Sequence, residues 1–107
     1  MATHISSSAS FLEKLPEGVL RFCKSEKIVD YLETVENLIR MHFPEVNEVQ
    51  YSVESDPEVD ERYLVISAKV SGDVDDVVER YDRYVAELVE KVPWPQRDKI
   101  VFSYDIT

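Results

Sequence analysis

"RYLVISAKVSGDVDDVVERYDRYVAELVEKV", residues 62–92, changes its apolar period once, and that change decides the fold. From Arg62 to Ser71 the period is two. Leu64, Ile66, Ala68 and Val70 fall on one side, and Tyr63, Val65, Ser67 and Lys69 on the other, which is the signature of a β-strand. After Gly72 the period becomes helical. Val74, Val77, Val78, Tyr81, Tyr84/Val85, Leu88, Val89 and Val92 recur at three- and four-residue steps. Asp73 suits the N-cap, Asp75 and Asp76 suit the positive end of the helix dipole, and Pro93 stops the helix. Asp76/Arg80, Glu79/Arg83 and Arg83/Glu87 stand four apart on the polar face, a pattern that describes a solvated surface.

Upstream of this unit, "VNEVQYSVES" alternates in the same way: Val49, Tyr51 and Val53 oppose Glu48, Gln50, Ser52 and Glu54. The interval 55–61, with its Asp-Pro turn, joins the two strands as an antiparallel hairpin. Further upstream, Ile28, Leu32, Val35, Leu38, Ile39 and His42/Phe43 predict a helix that Ser25 caps and Pro44 ends. "PEGVLRFCK", 16–24, predicts a short helix opened by proline. Residues 1–10 are small and polar and are expected to form a mobile leader, with Ser10 and Glu13 at capping-box spacing just beyond. Downstream, 99–106 alternates again: Ile100, Phe102, Tyr104 and Ile106 oppose Val101, Ser103 and Asp105.

The expected architecture is therefore α+β, with residues 11–107 as one domain. A short helix is followed by α-β-β-α-β, and two long helices cover one face of a three-stranded, mainly antiparallel sheet. The helical crossover makes the last strand parallel to the second. Placing the first strand between them gives the order 2-1-3, in which every neighbouring pair is antiparallel; the alternative order 1-2-3 pairs the last two strands in parallel.

A two-layer sandwich of this kind leaves one sheet face uncovered. Gln50, Tyr63, Val65, Ser67, Lys69, Val101 and Ser103 are expected there, as a candidate partner face. The hairpin loop carries Glu54, Asp56, Glu58, Asp60 and Glu61 within eight residues. Asp56, Glu58 and Asp60 have the opening spacing of a calcium loop, but Glu61 stands where the loop needs glycine and Ser67 where it needs a bidentate Glu. No metal site is assigned to it; its expected use is to steer a basic partner. "VPWPQRD", 92–98, is expected to clasp the fold, with the Trp94 ring over the end of the sandwich and the last strand aimed back into the core.

The 107 residues carry 12 basic and 22 acidic side chains, a net charge of −10 that repels phosphate backbones and disfavours nucleic-acid binding. Two glycines cannot build the glycine-rich phosphate loops, and no nucleophile-elbow or dinucleotide-binding pattern occurs. His4 and His42 lack zinc-ligand neighbours at the right spacing. Cys23 is the only cysteine, so it has no partner for an intramolecular disulfide, and it sits beside Leu20 and Phe22 as a core residue would. No stretch has the length and apolarity of a membrane span, and no secretory signal pattern opens the chain, so the expected compartment is the cytoplasm.

"LPEGVLRF" (15–22), "HFPEV" (42–46), "ESDPEVDERYLVI" (54–66) and "VERYDRYVAELVEKVPWPQRDKIVFSYDI" (78–106) resemble a family of small uncharacterised bacterial proteins over residues 15–106. The most specific part is the Tyr-Asp-x-Tyr helix followed by Val-Pro-Trp-Pro and a short strand. The resemblance implies a bacterial single-domain protein and brings no catalytic residues or cofactor with it. The expected function is a noncatalytic protein–protein interaction module, with acidic antitoxins, immunity proteins and adaptors as the classes that size and charge suggest. The alternative is a small-molecule or metal-binding domain with weak enzymatic activity. Weak homodimerisation through the exposed sheet is compatible with both.

Overall fold

A computed structural model describes residues 6–107. It is α+β: four α-helices, α1 (Ala9–Leu12), α2 (Glu17–Ser25), α3 (Leu32–His42) and α4 (Val74–Lys91), with a three-stranded mixed sheet of β1 (Val49–Asp56), β2 (Glu61–Val70) and β3 (Ile100–Ile106). Short 3₁₀ turns precede α3 (Val29–Tyr31) and β3 (Gln96–Lys99). The helices cover one sheet face. Leu64, Ile66, Ala68 and Val70 of β2 are buried under them with Ile100 and Phe102 of β3, and Val49, Tyr51 and Val53 of β1 pack at the margin.

The strand order corrects the expected 2-1-3. It is β1-β2-β3, with β1 antiparallel to β2 and β3 parallel to β2, and Leu64 lies beside Ile100. The reason lies in β2, whose four inward residues are all buried and which carries an apolar residue, Val65, on its back. The strand with the most to bury takes the centre. Val49, Tyr51 and Val53 are only half-buried, as an edge strand tolerates.

The expected helix from Ser25 to Phe43 is split. Ser25 ends α2, its hydroxyl donating to the Phe22 carbonyl (2.8 Å). Lys27 then adopts a left-handed conformation (φ 61°). The Ile28 N–H bonds the Cys23 carbonyl (3.0 Å) and the Lys27 N–H bonds the Lys24 carbonyl (3.3 Å), the two bonds of a Schellman stop, with Ile28 and Cys23 in its apolar contact. Ile28 therefore joins the core from outside any α-helix.

Of the expected leader, residues 1–5, including His4, lie outside the described residues. Ser7 and Ser8 are tied to the fold: the Ser7 hydroxyl donates to the Val29 carbonyl (2.7 Å) and accepts from the Glu33 N–H (3.1 Å). The Ser8 N–H donates to the Glu33 carboxylate (2.7 Å), and Ser8 is the residue that caps α1.

At the start of α4, Asp73 accepts from the Asp76 N–H (2.8 Å), as its position predicts. Gly72, at φ 127°, makes the turn from β2, and a Cβ there would lie 3.0 Å from Asp76 Oδ2 and 3.3 Å from an Arg80 guanidinium nitrogen. Val77, Tyr84, Leu88 and Val92 of the α4 stripe are buried, whereas Val74, Val78 and Val89 are exposed and stand outside the core. Asp76 and Glu79 pair with Arg80 and Arg83 as expected, but Glu87 turns to Lys91 and to His42 Nε2 (3.0 Å), joining α4 to α3.

Tyr84 is buried against Phe102 and Tyr81, and its hydroxyl has no hydrogen-bond partner among the described residues. Burial pushes that phenol above its ordinary pKa. An orphaned buried hydroxyl costs free energy that phenylalanine avoids. Tyr84→Phe is expected to leave stability unchanged or to raise it by up to about 1 kcal/mol in chemical denaturation. A loss of more than about 1 kcal/mol would show that the hydroxyl has a partner in solution.

Candidate functional site

The uncovered sheet face brings the expected partner residues together. Strand register sets them in rows: Gln50, Ser67 and Ser103 in one, Ser52, Val65 and Val101 in the next, with Lys69 beside Asp105 at one end and Tyr63 beside Glu54 at the other. Tyr63, Val65 and Ser67 are half-buried, while Gln50, Lys69, Val101 and Ser103 are exposed. An apolar strip of Tyr63, Val65 and Val101 thus runs obliquely between polar neighbours.

Each end of this face is hollowed. A depression of about 280 Å³ is lined by Glu61, Arg62, Tyr63, Pro95, Asp98, Lys99 and Val101. A wider one of about 560 Å³ lies at the opposite end, where Gln50, Ser67, Lys69 and Asp105 meet Glu45 and Thr107.

Trp94 does not clasp the sandwich. It is 70% exposed and the Trp94–Pro95 bond is cis; Pro95, not Trp94, lines the smaller depression. Two charged side chains secure this segment instead. Arg97 donates to the Val89 and Val92 carbonyls (3.3 and 3.1 Å), which the end of α4 leaves without helical partners. Lys99 Nζ meets the Glu26 carboxylate at 2.8 Å, just past the end of α2. Val92, not Trp94, supplies the buried apolar contact. The proline-flanked tryptophan marks the right segment, but the anchoring residues are the basic ones after it.

The acidic loop is shorter than its sequence interval. Glu54, Asp56 and Glu61 belong to the paired strands, and only residues 57–60 turn. Asp56 Oδ1 accepts from the Glu58 N–H (3.0 Å), the Asp60 N–H bonds the Asp56 carbonyl (3.0 Å), and Asp60 is left-handed (φ 52°). One carboxylate is thus used to shape the turn. No group of three or more His, Cys, Asp or Glu side chains is arranged to hold a metal among the described residues. Burial pushes the Cys23 thiol up to about 11 and takes it out of contact with solvent, so it is not placed to act as a nucleophile.

The densest polar cluster, which the sequence pattern does not reveal, centres on Arg80. Its guanidinium donates to both Glu45 oxygens (2.8 and 3.0 Å), to the Ser71 carbonyl (2.6 Å) and to the His42 carbonyl (3.4 Å), and it lies 4.8 Å over the Phe43 ring. Glu45 also accepts from the Ser71 N–H (3.0 Å). Every partner is internal, so the cluster fastens the ends of α3, β2 and α4 to one another. Its only signal in the sequence is the Asp76/Arg80 spacing.

A scan against protein-family models and searches of curated proteins and of solved structures found no match. No helix among the described residues is long and apolar enough to cross a membrane.

Proposed function

We propose that this protein is a noncatalytic interaction module that receives a basic protein partner on its open sheet face. The observation that carries the reading is the depression in which Pro95 joins Tyr63 and Val101 of the apolar strip, with charged side chains around it and the exposed Trp94 next to Pro95 in the chain. Aromatic anchors inside a polar rim are what binding hot spots are made of. Glu54 stands across from Tyr63, Glu61 and Asp98 line the depression together with Arg62 and Lys99, and the whole chain carries −10, which favours a partner of opposite sign and speeds its approach. Small acidic bacterial proteins that neutralise a basic toxin or effector have this combination of size and charge. The reading includes a cytoplasmic location, which suits a lone buried thiol.

The test pairs binding with stability. Affinity capture on the tagged protein is expected to recover a stoichiometric partner of basic pI, released by salt. Trp94→Ala combined with Val101→Lys is expected to lose it. Both side chains are exposed, so the double variant should melt within about 1 kcal/mol of the parent. Failure to recover a stoichiometric partner across several growth conditions, or full binding by the double variant, would sink the reading.

A further inference from the structure

The flank of α4 that faces away from α3 is apolar and wet. Val74, Val78 and Val89 are 63%, 44% and 52% exposed, and half-buried Val85 lies among them. The opposite flank, with Arg80 and Glu87, holds α3 through Glu45 and His42. Between the two flanks, Tyr81 and Tyr84 sit on Phe102 of β3 at 6.3 and 5.4 Å. Since α3 stands toward β1, through the Tyr51 to Glu36 hydrogen bond (2.6 Å), the valine flank looks outward past β3.

There it meets an open sheet edge. Among the described residues β3 pairs only with β2. The Thr107 N–H bonds the Val70 carbonyl, so by alternation Val101, Ser103 and Asp105 also turn their backbone groups toward β2. Ile100, Phe102, Tyr104 and Ile106 therefore turn theirs outward. Residues 100–107 contain no proline and only one charge, Asp105, so the strand carries little of what natural proteins use to blunt an edge.

We propose that two copies of this chain pair antiparallel through their β3 edges, with their α4 valine flanks in contact, to form one six-stranded sheet. A second copy is the occupant that covers both features. A lone peptide strand would satisfy the edge and leave the valines in water. α4 rests on Phe102 of β3 through Tyr81 and Tyr84, and neighbouring strands stand about 4.8 Å apart, so joining the two β3 edges brings the two α4 helices side by side on one face of the joined sheet. The register with complete overlap sets Ile100 opposite the other copy's Ile106 and Phe102 opposite its Tyr104. On the other face Val101 meets Asp105 and Ser103 meets itself, so no like charges oppose one another. The pairing leaves the open face free and joins two such faces into one.

Sedimentation equilibrium of the full chain tests the pairing. The expected mass is twice 12.4 kDa, with tighter association as salt screens the two −10 charges. Val78→Lys places an ammonium in the helix contact, and Ile106→Pro removes an outward N–H without touching the β2 ladder. Each is expected to weaken association at least about tenfold, with melting of the dilute protein unchanged for Val78→Lys. Val65→Lys, on the open face, should leave the mass unaltered. A single-chain mass at high micromolar concentration in high salt overturns the proposal. So does a dimer that survives Val78→Lys and Ile106→Pro but dissociates with Val65→Lys.

Discussion

Phe43→Ala is expected to lower the stability of this protein by about 4 kcal/mol. Phe43 is the first residue past α3 and is completely buried. Its ring meets Phe102 edge-on at 5.5 Å and stacks on Tyr104 at 6.3 Å, while the Arg80 guanidinium covers it at 4.8 Å. Truncation removes the apolar contact and leaves a cavity walled by a helix end, a strand and a second helix, none of which can close in without breaking its own bonds. Domains of this size are stable by about 5–15 kcal/mol, so a large share of the margin goes. The melting temperature should fall by roughly 20 °C, at about 4–8 °C for each kcal/mol. Phe43→Leu, which keeps most of the volume, should cost about 1.5 kcal/mol. Urea titrations of the three proteins measure both values; an alanine loss under about 2 kcal/mol would mean that the site collapses freely.

The core position of Phe43 is legible in the sequence. It ends an apolar stripe and precedes Pro44, which pulls the chain out of the helix. Alternation places the three strands within a residue or two of their bounds, apart from the start of β1, and separates the buried set from the open face in β2 and in the first half of β3, whereas Tyr104 is half-buried and Ile106 is exposed. These features are legible because each depends on a single local period. Expectation and structure part where local period is silent. Lys27 takes the left-handed stop where glycine is the usual signal, so the apolar stripe runs on across the break between α2 and α3. Strand order depends on which strand has most to bury, a comparison among three segments rather than a pattern within one. Val74, Val78 and Val89 fit the helical stripe of α4, but the sheet ends at β3 and leaves that side without cover. Trp94 is large and proline-flanked, which by sequence favours a clasp over a contact. Its exposure removes the clasp, which no local pattern could show.

Arg80→Ala is the second large effect, expected at about 2–3 kcal/mol at neutral pH. Removing one partner of a buried ion pair costs about 3–5 kcal/mol, and the remaining solvent access of Arg80 and Glu45 (16% and 26%) reduces that here. The loss has a pH signature. Burial alone would raise the Glu45 carboxyl, but the Arg80 hydrogen bonds and the Ser71 N–H outweigh it and hold the group below the ordinary carboxylate range. A carboxyl with a depressed folded-state pKa contributes stability that is present in full above its unfolded value and is lost as pH falls through the folded one. The gap between parent and Arg80→Ala should therefore be constant above about pH 5 and shrink steadily below about pH 4. Arg80→Lys restores the charge without the fork that spans Glu45 and the Ser71 carbonyl, and should recover less than half of the loss. Glu45→Gln with Arg80→Met removes both charges at once. That pair should be milder than Arg80→Ala alone, because no carboxylate is left half-buried without its cation. A gap that stays constant down to about pH 2 would show that Arg80 acts through its cover over Phe43 and not through Glu45.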